Sequence, residues 1–299
     1  MLVIASRGSQ LALWQARWVQ ARLGELGHEC RIDIIKTTGD KITDVPLAKV
    51  GTNGLFTKEI EEALLEKRAD LAVHSLKDLP TELPQGLVLA AVPPREDPRD
   101  AIVGKRIAEL PQGASVGTSS LRRSAQLRRL RPDLLVESVR GNVDTRLRKL
   151  DEGRYEAILL AAAGLRRLGW EQRIAEYLEP SVMCPAVGQG ALAIETRANG
   201  AGFEACRALD HPATHAAVDA ERGVLLALGG GCQVPIGAYA VVEGGRVRVD
   251  AIVASPDGSE LVRGESQGPV AEAHALGRRL GEDLLERGAG RILELVYGA

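Results

Sequence analysis

The sequence predicts an α/β fold of two lobes, each built on a mixed, mainly parallel sheet, joined by a double crossover and followed by a small α+β domain. Three observations predict it. Short β-branched or aliphatic runs alternate with stretches of helical periodicity over the first two thirds of the chain. Breaks at Pro93-Pro94-Arg95-Glu96-Asp97-Pro98 and Cys184-Pro185-Ala186-Val187-Gly188-Gln189-Gly190 interrupt that alternation, because consecutive prolines continue neither regular structure. After His211-Pro212 the order changes to a helix, three hairpin-spaced strands and terminal helices. Near-continuous apolar strands that alternate with helices imply sheets covered on both faces.

In the first lobe, strands are predicted at Leu2–Ala5, Arg31–Ile35, Asp70–His74 and Leu87–Val92, and helices at Ser9–Leu26 and Thr57–Lys67. The second lobe takes strands at Ser115–Gly117, Leu134–Ser138 and Ala157–Leu160, with helices at Ser120–Leu130 and Asn142–Asp151. A strand at Ala191–Glu195 then returns to complete the first sheet. The expected domains are 1–94 with 190–210, 95–189, and 211–299. Two crossovers make a hinge, and ligands favour the cleft beside one. In the last domain a helix at Ala213–Leu228 precedes strands at Gly237–Val242, Arg246–Ala254 and Leu261–Gln267. Turns at Glu243-Gly244-Gly245 and Pro256-Asp257-Gly258 join them as hairpins.

With 299 residues and 45% hydrophobic content the chain can bury more than one core. The run Leu2–Ala5 has strand length and lacks the flanks of a secretory peptide, and no window reaches the roughly 18 apolar residues of a membrane span. A cytoplasmic protein without a membrane partner, and a monomer, is expected. Cys30, Cys184, Cys206 and Cys232 form no C-x-x-C pair, so no metal site is expected.

Charge is distributed unevenly. Between Ser119 and Lys149 nine basic residues face three acidic ones, a local +6 in a chain of net charge −2. An uncompensated run of one sign suggests a ligand that supplies the opposite charge. No aromatic residue lies between Gly113 and Arg154 for bases to stack on, and the pI is near 6.3, so nucleic acid fits poorly. A carboxylate- or phosphate-rich small molecule fits better.

Three predicted strands end in a polar or glycine turn with arginine before a helix: Arg7-Gly8-Ser9, Thr118-Ser119-Ser120-Leu121-Arg122-Arg123, and Arg140-Gly141-Asn142. Helix N-termini present unpaired N–H groups to an anion, and arginine adds bidentate recognition. For any single turn the serines and Asn142 serve equally well as ordinary caps. Arg128, Arg129 and Arg131 lie farther along and are read as structural.

A fourth turn, His74-Ser75-Leu76-Lys77-Asp78-Leu79-Pro80, sets a cation beside a carboxylate. If buried, Asp78 suits stabilisation of a developing cation or proton transfer, although such a pair also suits a surface. His74 is read as a packing or hydrogen-bonding histidine. Cys232 follows Gly229-Gly230-Gly231, which leaves room for a bulky group beside a loop thiol; a small buried hydrophobe is the other reading.

Taken together, the strings ASRGSQLALWQA, GLFTKEIEEALL, RADLAVHSLKDLP, REDPRDA, VGTSSLRR, ESVRGNVDTRL, PAVGQGALAIE and GGGCQVPIGAYA, in this order along nearly the whole chain, resemble the porphobilinogen deaminase family. The resemblance implies lobes like those of periplasmic binding proteins and a dipyrromethane cofactor held by a thioether to Cys232. On that primer four porphobilinogen units are joined with loss of ammonia, and hydrolysis releases hydroxymethylbilane for tetrapyrrole and haem biosynthesis. Asp78 would stabilise azafulvene-like cations and pyrrole nitrogens. Arg7, Ser9, Lys77, Thr118, Ser119, Ser120, Arg122, Arg123, Arg140, Arg146, Arg167 and Gln189 would hold the acetate and propionate groups of cofactor and substrate. Lys49 would belong to a lid, in a segment where Thr38 and Asn53 replace the basic residues common among relatives. The alternative is a non-catalytic two-lobed protein that binds a polycarboxylate small molecule and needs neither Cys232 nor Asp78.

Overall fold

The computed structural model describes residues 1–41, 57–230 and 234–297. Two compact units divide the chain, Met1–Glu96 with Ala191–His215, and Asp97–Gly190 with Ala216–Ala299.

The first unit runs β1 (Leu2–Ser6), α1 (Gln10–Glu25), β2 (Cys30–Ile34), α2 (Thr38–Lys41), α3 (Lys58–Leu65), β3 (Leu71–Ser75) and β4 (Leu87–Ala91). After the excursion through the second unit, β10 (Leu192–Arg197) and α7 (Ala201–Cys206) complete it. Its sheet has the order β2-β1-β3-β10-β4. Period-two alternation decides what each face buries. Ile4, Leu71, Val73 and Ile194 pack on Ala16, Val19 and Leu23 of α1, while Ala5 and Ala72 turn to Ile60, Ala63 and Leu64 of α3.

The second unit opens with β5 (Asp100–Gly104), β6 (Ser115–Gly117), α4 (Leu121–Leu130), β7 (Leu135–Glu137), α5 (Val143–Asp151), β8 (Ala157–Ala161), α6 (Ala162–Arg167) and β9 (Ile174–Leu178). Its sheet order is β7-β6-β8-β5-β9, with β6 parallel to β7 and β8, and β5 antiparallel to β8 and β9. The first sheet repeats this plan. There β1 is parallel to β2 and β3, and β10 is antiparallel to β3 and β4. In each sheet the strand that follows a crossover, β10 or β5, is thus the reversed one, and the sheets are mixed. As expected, the strand after the second break closes the first sheet. The sequence does not announce β5 or β9: the first starts two residues after Pro98 with a charged Asp100, and the second is an edge strand with no clean alternation.

From α8 (Pro212–Ala227) the chain continues through β11 (Ile236–Glu243), β12 (Arg246–Ala254), β13 (Leu261–Pro269), α9 (Ala273–Leu284) and α10 (Gly290–Tyr297). The three strands form an antiparallel sheet joined by the two predicted turns. Its inner residues, Ala238, Val247, Val249 and Ala251 among them, pack against Val224, Leu280, Leu284 and Ile292.

This small sheet belongs with the second unit. Ala125 of α4 and Cys184 pack on Ile252 and Ala254 of β12. The turn after β12 touches α4 so closely that a Cβ on Gly258 would lie 2.6 Å from the Ala125 carbonyl, and only glycine fits there. Across the same contact Arg128 donates to the Pro256 carbonyl at 2.8 Å and Arg129 to that of Ser259 at 3.3 Å. Arg131 pairs with Asp133 and donates to the Ile107 and Leu110 carbonyls. Three arginines of the basic run are therefore structural, as their positions suggest.

Candidate anion-binding site

In the first unit β1 and β3 are parallel neighbours, so their carboxyl ends lie side by side, where open α/β sheets bind ligands. The turn after β1 carries Arg7, half-buried, and Ser9, whose hydroxyl accepts the Ala12 N–H at 3.3 Å and caps α1. Beyond β3 a 3₁₀ turn, Leu76–Asp78, is pinned at its root. Gln15 Nε2 donates to the Ser75 hydroxyl at 2.8 Å, and the Leu76 N–H to the Ala191 carbonyl at 3.0 Å. Leu76 and Leu79 are buried, which leaves Lys77 half-buried and Asp78 exposed. Asp78 is thus not the buried carboxylate that would favour proton transfer by desolvation alone. Its turn is fixed instead by the leucines on either side.

Three parallel strands of the second unit, β7, β6 and β8, likewise bring their carboxyl ends together. The Thr118 N–H donates to the Glu137 carbonyl at 2.8 Å, and the Ser119 hydroxyl donates to the Val139 carbonyl at 2.6 Å, which ties the turn after β6 to the turn after β7. Ser120 is the N-cap of α4, its hydroxyl accepting the Arg123 N–H at 3.4 Å. Asn142 makes no side-chain cap bond to α5. The turn is closed instead by Arg146 Nε on the Gly141 carbonyl at 2.8 Å and Lys149 Nζ on the Arg140 carbonyl at 3.1 Å. Arg140 and Arg146 remain half-buried.

Arg122 and Arg123 sit differently from what the charge run suggests. Both are buried, and Asp100 at the start of β5 lies between them with no exposed surface. Arg122 Nη1 donates to Asp100 Oδ2 and to the Cys184 carbonyl, both at 2.6 Å. Arg123 Nε reaches Asp100 Oδ1 at 2.8 Å, Nη1 the Leu159 carbonyl at 3.2 Å, and Nη2 Gln189 Oε1 at 3.3 Å. Gln189 closes the network by donating from Nε2 to Asp100 Oδ1 at 2.9 Å and to the Pro98 carbonyl at 2.7 Å. Burial favours the neutral acid, but the charges of Arg122 and Arg123 and the Arg122 and Gln189 hydrogen bonds outweigh it and hold the Asp100 carboxyl well below the usual range. Arg167, also buried, donates to the Gly190 carbonyl at 2.7 Å. Asp100 was hidden from sequence reasoning because its partners lie twenty or more positions away; the sign of it is a carboxylate opening the apolar run Ala101–Val103.

Cys232 and Lys49 lie outside the described residues. Up to Gly230 the approach to Cys232 is described. A Cβ on Gly230 would come within 2.6 Å of Leu225 Cδ1 and 2.7 Å of Ile236 Cδ1, so a side chain there would require those two to shift. On α8, buried Glu221 accepts the Gly188 N–H at 2.7 Å and the Ala240 N–H at 2.8 Å. Cys30, Cys184 and Cys206 are free thiols, and burial pushes Cys206 up to about 12. Cys184 is raised still further by burial, so neither buried thiol suits a covalent role.

Fold and turns together define an α/β protein that presents hydroxyls, helix N-termini and half-buried cations at the carboxyl ends of adjacent parallel strands, a class suited to carboxylate ligands. The chain belongs to the porphobilinogen deaminase family: the family's dipyrromethane cofactor binding domain matches residues 2–205 and its C-terminal domain residues 215–286. Similar relatives are the porphobilinogen deaminases of Syntrophobacter fumaroxidans, 54% identical over 99% of this chain and 98% of that one, and of Pelobacter propionicus, 53% identical over 99% and 97%. Among solved structures, a periplasmic substrate-binding protein of an ABC transporter from Coxiella burnetii is similar over 70% of this chain and 91% of that one, at 12% identity and a TM-score of 0.43.

The chain is a transferase of tetrapyrrole biosynthesis with its family's dipyrromethane cofactor, and a non-catalytic binding protein is not favoured. Among the described residues no helix is long and apolar enough to cross a membrane.

Proposed function

We propose that this chain joins four porphobilinogen molecules, with loss of ammonia, onto a dipyrromethane bound through Cys232, and releases hydroxymethylbilane by hydrolysis. The observation that supports this reading is that the chain carries both strand-end turns rich in hydroxyls and cations and a glycine-led cysteine. When bound, the dipyrromethane supplies the primer end to which units are added. A thioether to Cys232 holds through reducing conditions that would open a disulfide.

The donor set fits such a group. Each pyrrole brings two carboxylates, whose mutual repulsion must be offset by several cations. In this reading Arg7, Lys77, Arg140 and Arg146, none fully buried, supply those cations, with Ser9 and the Thr118–Ser120 turn adding N–H and hydroxyl donors. Arg122 and Arg123 share the buried Asp100, Gln189 donates to the same carboxylate and Arg167 to the Gly190 carbonyl, so in this reading the four support the site through the protein's own network. With Asp100 subtracted, the first two leave one net positive charge under the α4 N-terminus. Asp78 faces the positive charge that develops as ammonia leaves and accepts a proton from the reacting pyrrole.

The C-terminal part of the chain, 211–299, carries the cofactor cysteine. The protein works as a cytoplasmic monomer, with porphobilinogen and the growing oligopyrrole as its only partners and no nucleic acid. Incubation with porphobilinogen tests the reaction: one ammonia is expected for each porphobilinogen consumed, together with a linear tetrapyrrole. Binding without ammonia release would instead describe a carrier.

A further inference from the structure

On the α3 face of the first sheet lies a polar cluster that the proposed reaction does not use. His74 of β3, Glu195 of β10, Glu61 of α3 and Thr57 are 6%, 0%, 7% and 1% exposed, respectively. His74 Nε2 and Glu195 Oε2 are 3.1 Å apart. The other Glu195 oxygen, Glu61 Oε1 and Thr57 Oγ1 are all buried without a hydrogen-bond partner.

Such an arrangement is costly as it stands. A buried polar atom left unpaired has given up its hydration for nothing in return, and an uncompensated buried charge loses more. Thr57 occupies the N-cap position of α3, yet its hydroxyl makes no cap bond to the helix. It lies instead beside the Glu61 carboxyl. Among the described residues no group of three or more His, Cys, Asp or Glu side chains is arranged to hold a metal ion. The cluster is rich in acceptors and short of donors, and one proton corrects this. With Glu195 as the carboxylate that accepts from the imidazole, a protonated Glu61 turns one orphan oxygen into a donor for another.

We propose that Glu61, Glu195, His74 and Thr57 form an internal proton-binding site, in which one proton held between the two carboxyls completes the hydrogen bonding and seats α3 on the sheet. The surroundings agree with it. Of the strands packed against α3, β1 and β4 carry no titratable residue, β3 contributes His74, and β10 contributes Glu195 and Arg197. Arg197 is engaged at the far end of the helix, on the Leu64 and Ala69 carbonyls at 2.5 and 2.6 Å. On α3 itself Glu62 adds a further negative charge near Glu61, while Glu59 accepts the Thr38 N–H at 2.8 Å. Burial first, then the charges of Glu195 and Glu62, push the Glu61 carboxyl up against the opposing Thr57 and His74 contributions. The strand that carries His74 runs directly into the turn with Lys77 and Asp78, so the site lies at the root of a proposed catalytic loop.

An acid whose pKa is raised by folding contributes its full stabilisation below its ordinary pKa and loses it as pH rises through the raised value. Hydrogen exchange of the full chain, corrected for intrinsic rates, is therefore expected to show α3 amide protection falling as pH rises above the ordinary carboxylate range, by at most about tenfold per pH unit for one linked proton. Glu61→Gln, which donates a hydrogen bond without titrating, is expected to make α3 protection independent of pH. In unsubstituted protein, infrared spectra are expected to retain a protonated-carboxyl band above the pH at which exposed carboxyls ionise. Glu195→Gln serves if Glu61→Gln does not fold. A flat pH profile for α3 with no protonated-carboxyl band would overturn the proposal and leave the orphan oxygens to water alone; an unchanged profile in folded Glu61→Gln would overturn it as well.

Discussion

Asp100→Asn is expected to destabilise the protein by about 3–5 kcal/mol, the usual cost of removing one member of a buried ion pair and leaving the rest uncompensated. Arg122 and Arg123 are both buried, and Asp100 is the carboxylate shared between them. Without its charge, two guanidinium groups face each other in a medium that screens them poorly. Two further attachments weaken with it, since the same guanidinium groups hold the Cys184 and Leu159 carbonyls. Urea unfolding followed by far-UV circular dichroism measures the effect. A loss below about 1 kcal/mol, typical of an exposed pair, would show that Asp100 does not hold the two buried guanidinium groups in place.

Asp78→Asn is expected to act oppositely, on turnover and not on folding. The side chain is exposed and its turn is held by Leu76, Leu79 and the Gln15–Ser75 hydrogen bond, so unfolding should shift by no more than about 0.5 kcal/mol. Removing one preorganised charge from a reacting centre typically lowers kcat by about 10²–10³-fold, and that loss is expected here with the mass of the cofactor-loaded protein unchanged. Near-normal kcat would remove Asp78 from its role. Unfolding of the variant would mark it as structural.

What the sequence revealed depended on how local each signal was. The Ser120 cap, the first helix and the two hairpin turns of the C-terminal sheet were legible because caps, periodicity and turn residues act over a few positions. Strand direction was not: β10 has the same apolar character whether it runs parallel or antiparallel, and only the path through the second unit reverses it. The α4 basic run showed that charge was concentrated but not where it went. Arg128, Arg129 and Arg131 reach carbonyls or a neighbouring carboxylate, and Arg122 and Arg123 reach Asp100, 22 and 23 positions earlier in the chain. Conversely, Asp78 was singled out by its neighbours while its exposure was not foreseeable, because burial of a three-residue turn depends on Leu79 and on the Leu76 bond to Ala191.

The anchored primer remains the claim on which the chemistry turns, and intact-mass spectrometry of the purified active protein tests it most directly. A mass above the 31.9 kDa chain by one dipyrromethane is predicted, and the excess is expected to vanish in Cys232→Ala. A bare chain in a preparation that turns over porphobilinogen, or an excess that survives in Cys232→Ala, would contradict it.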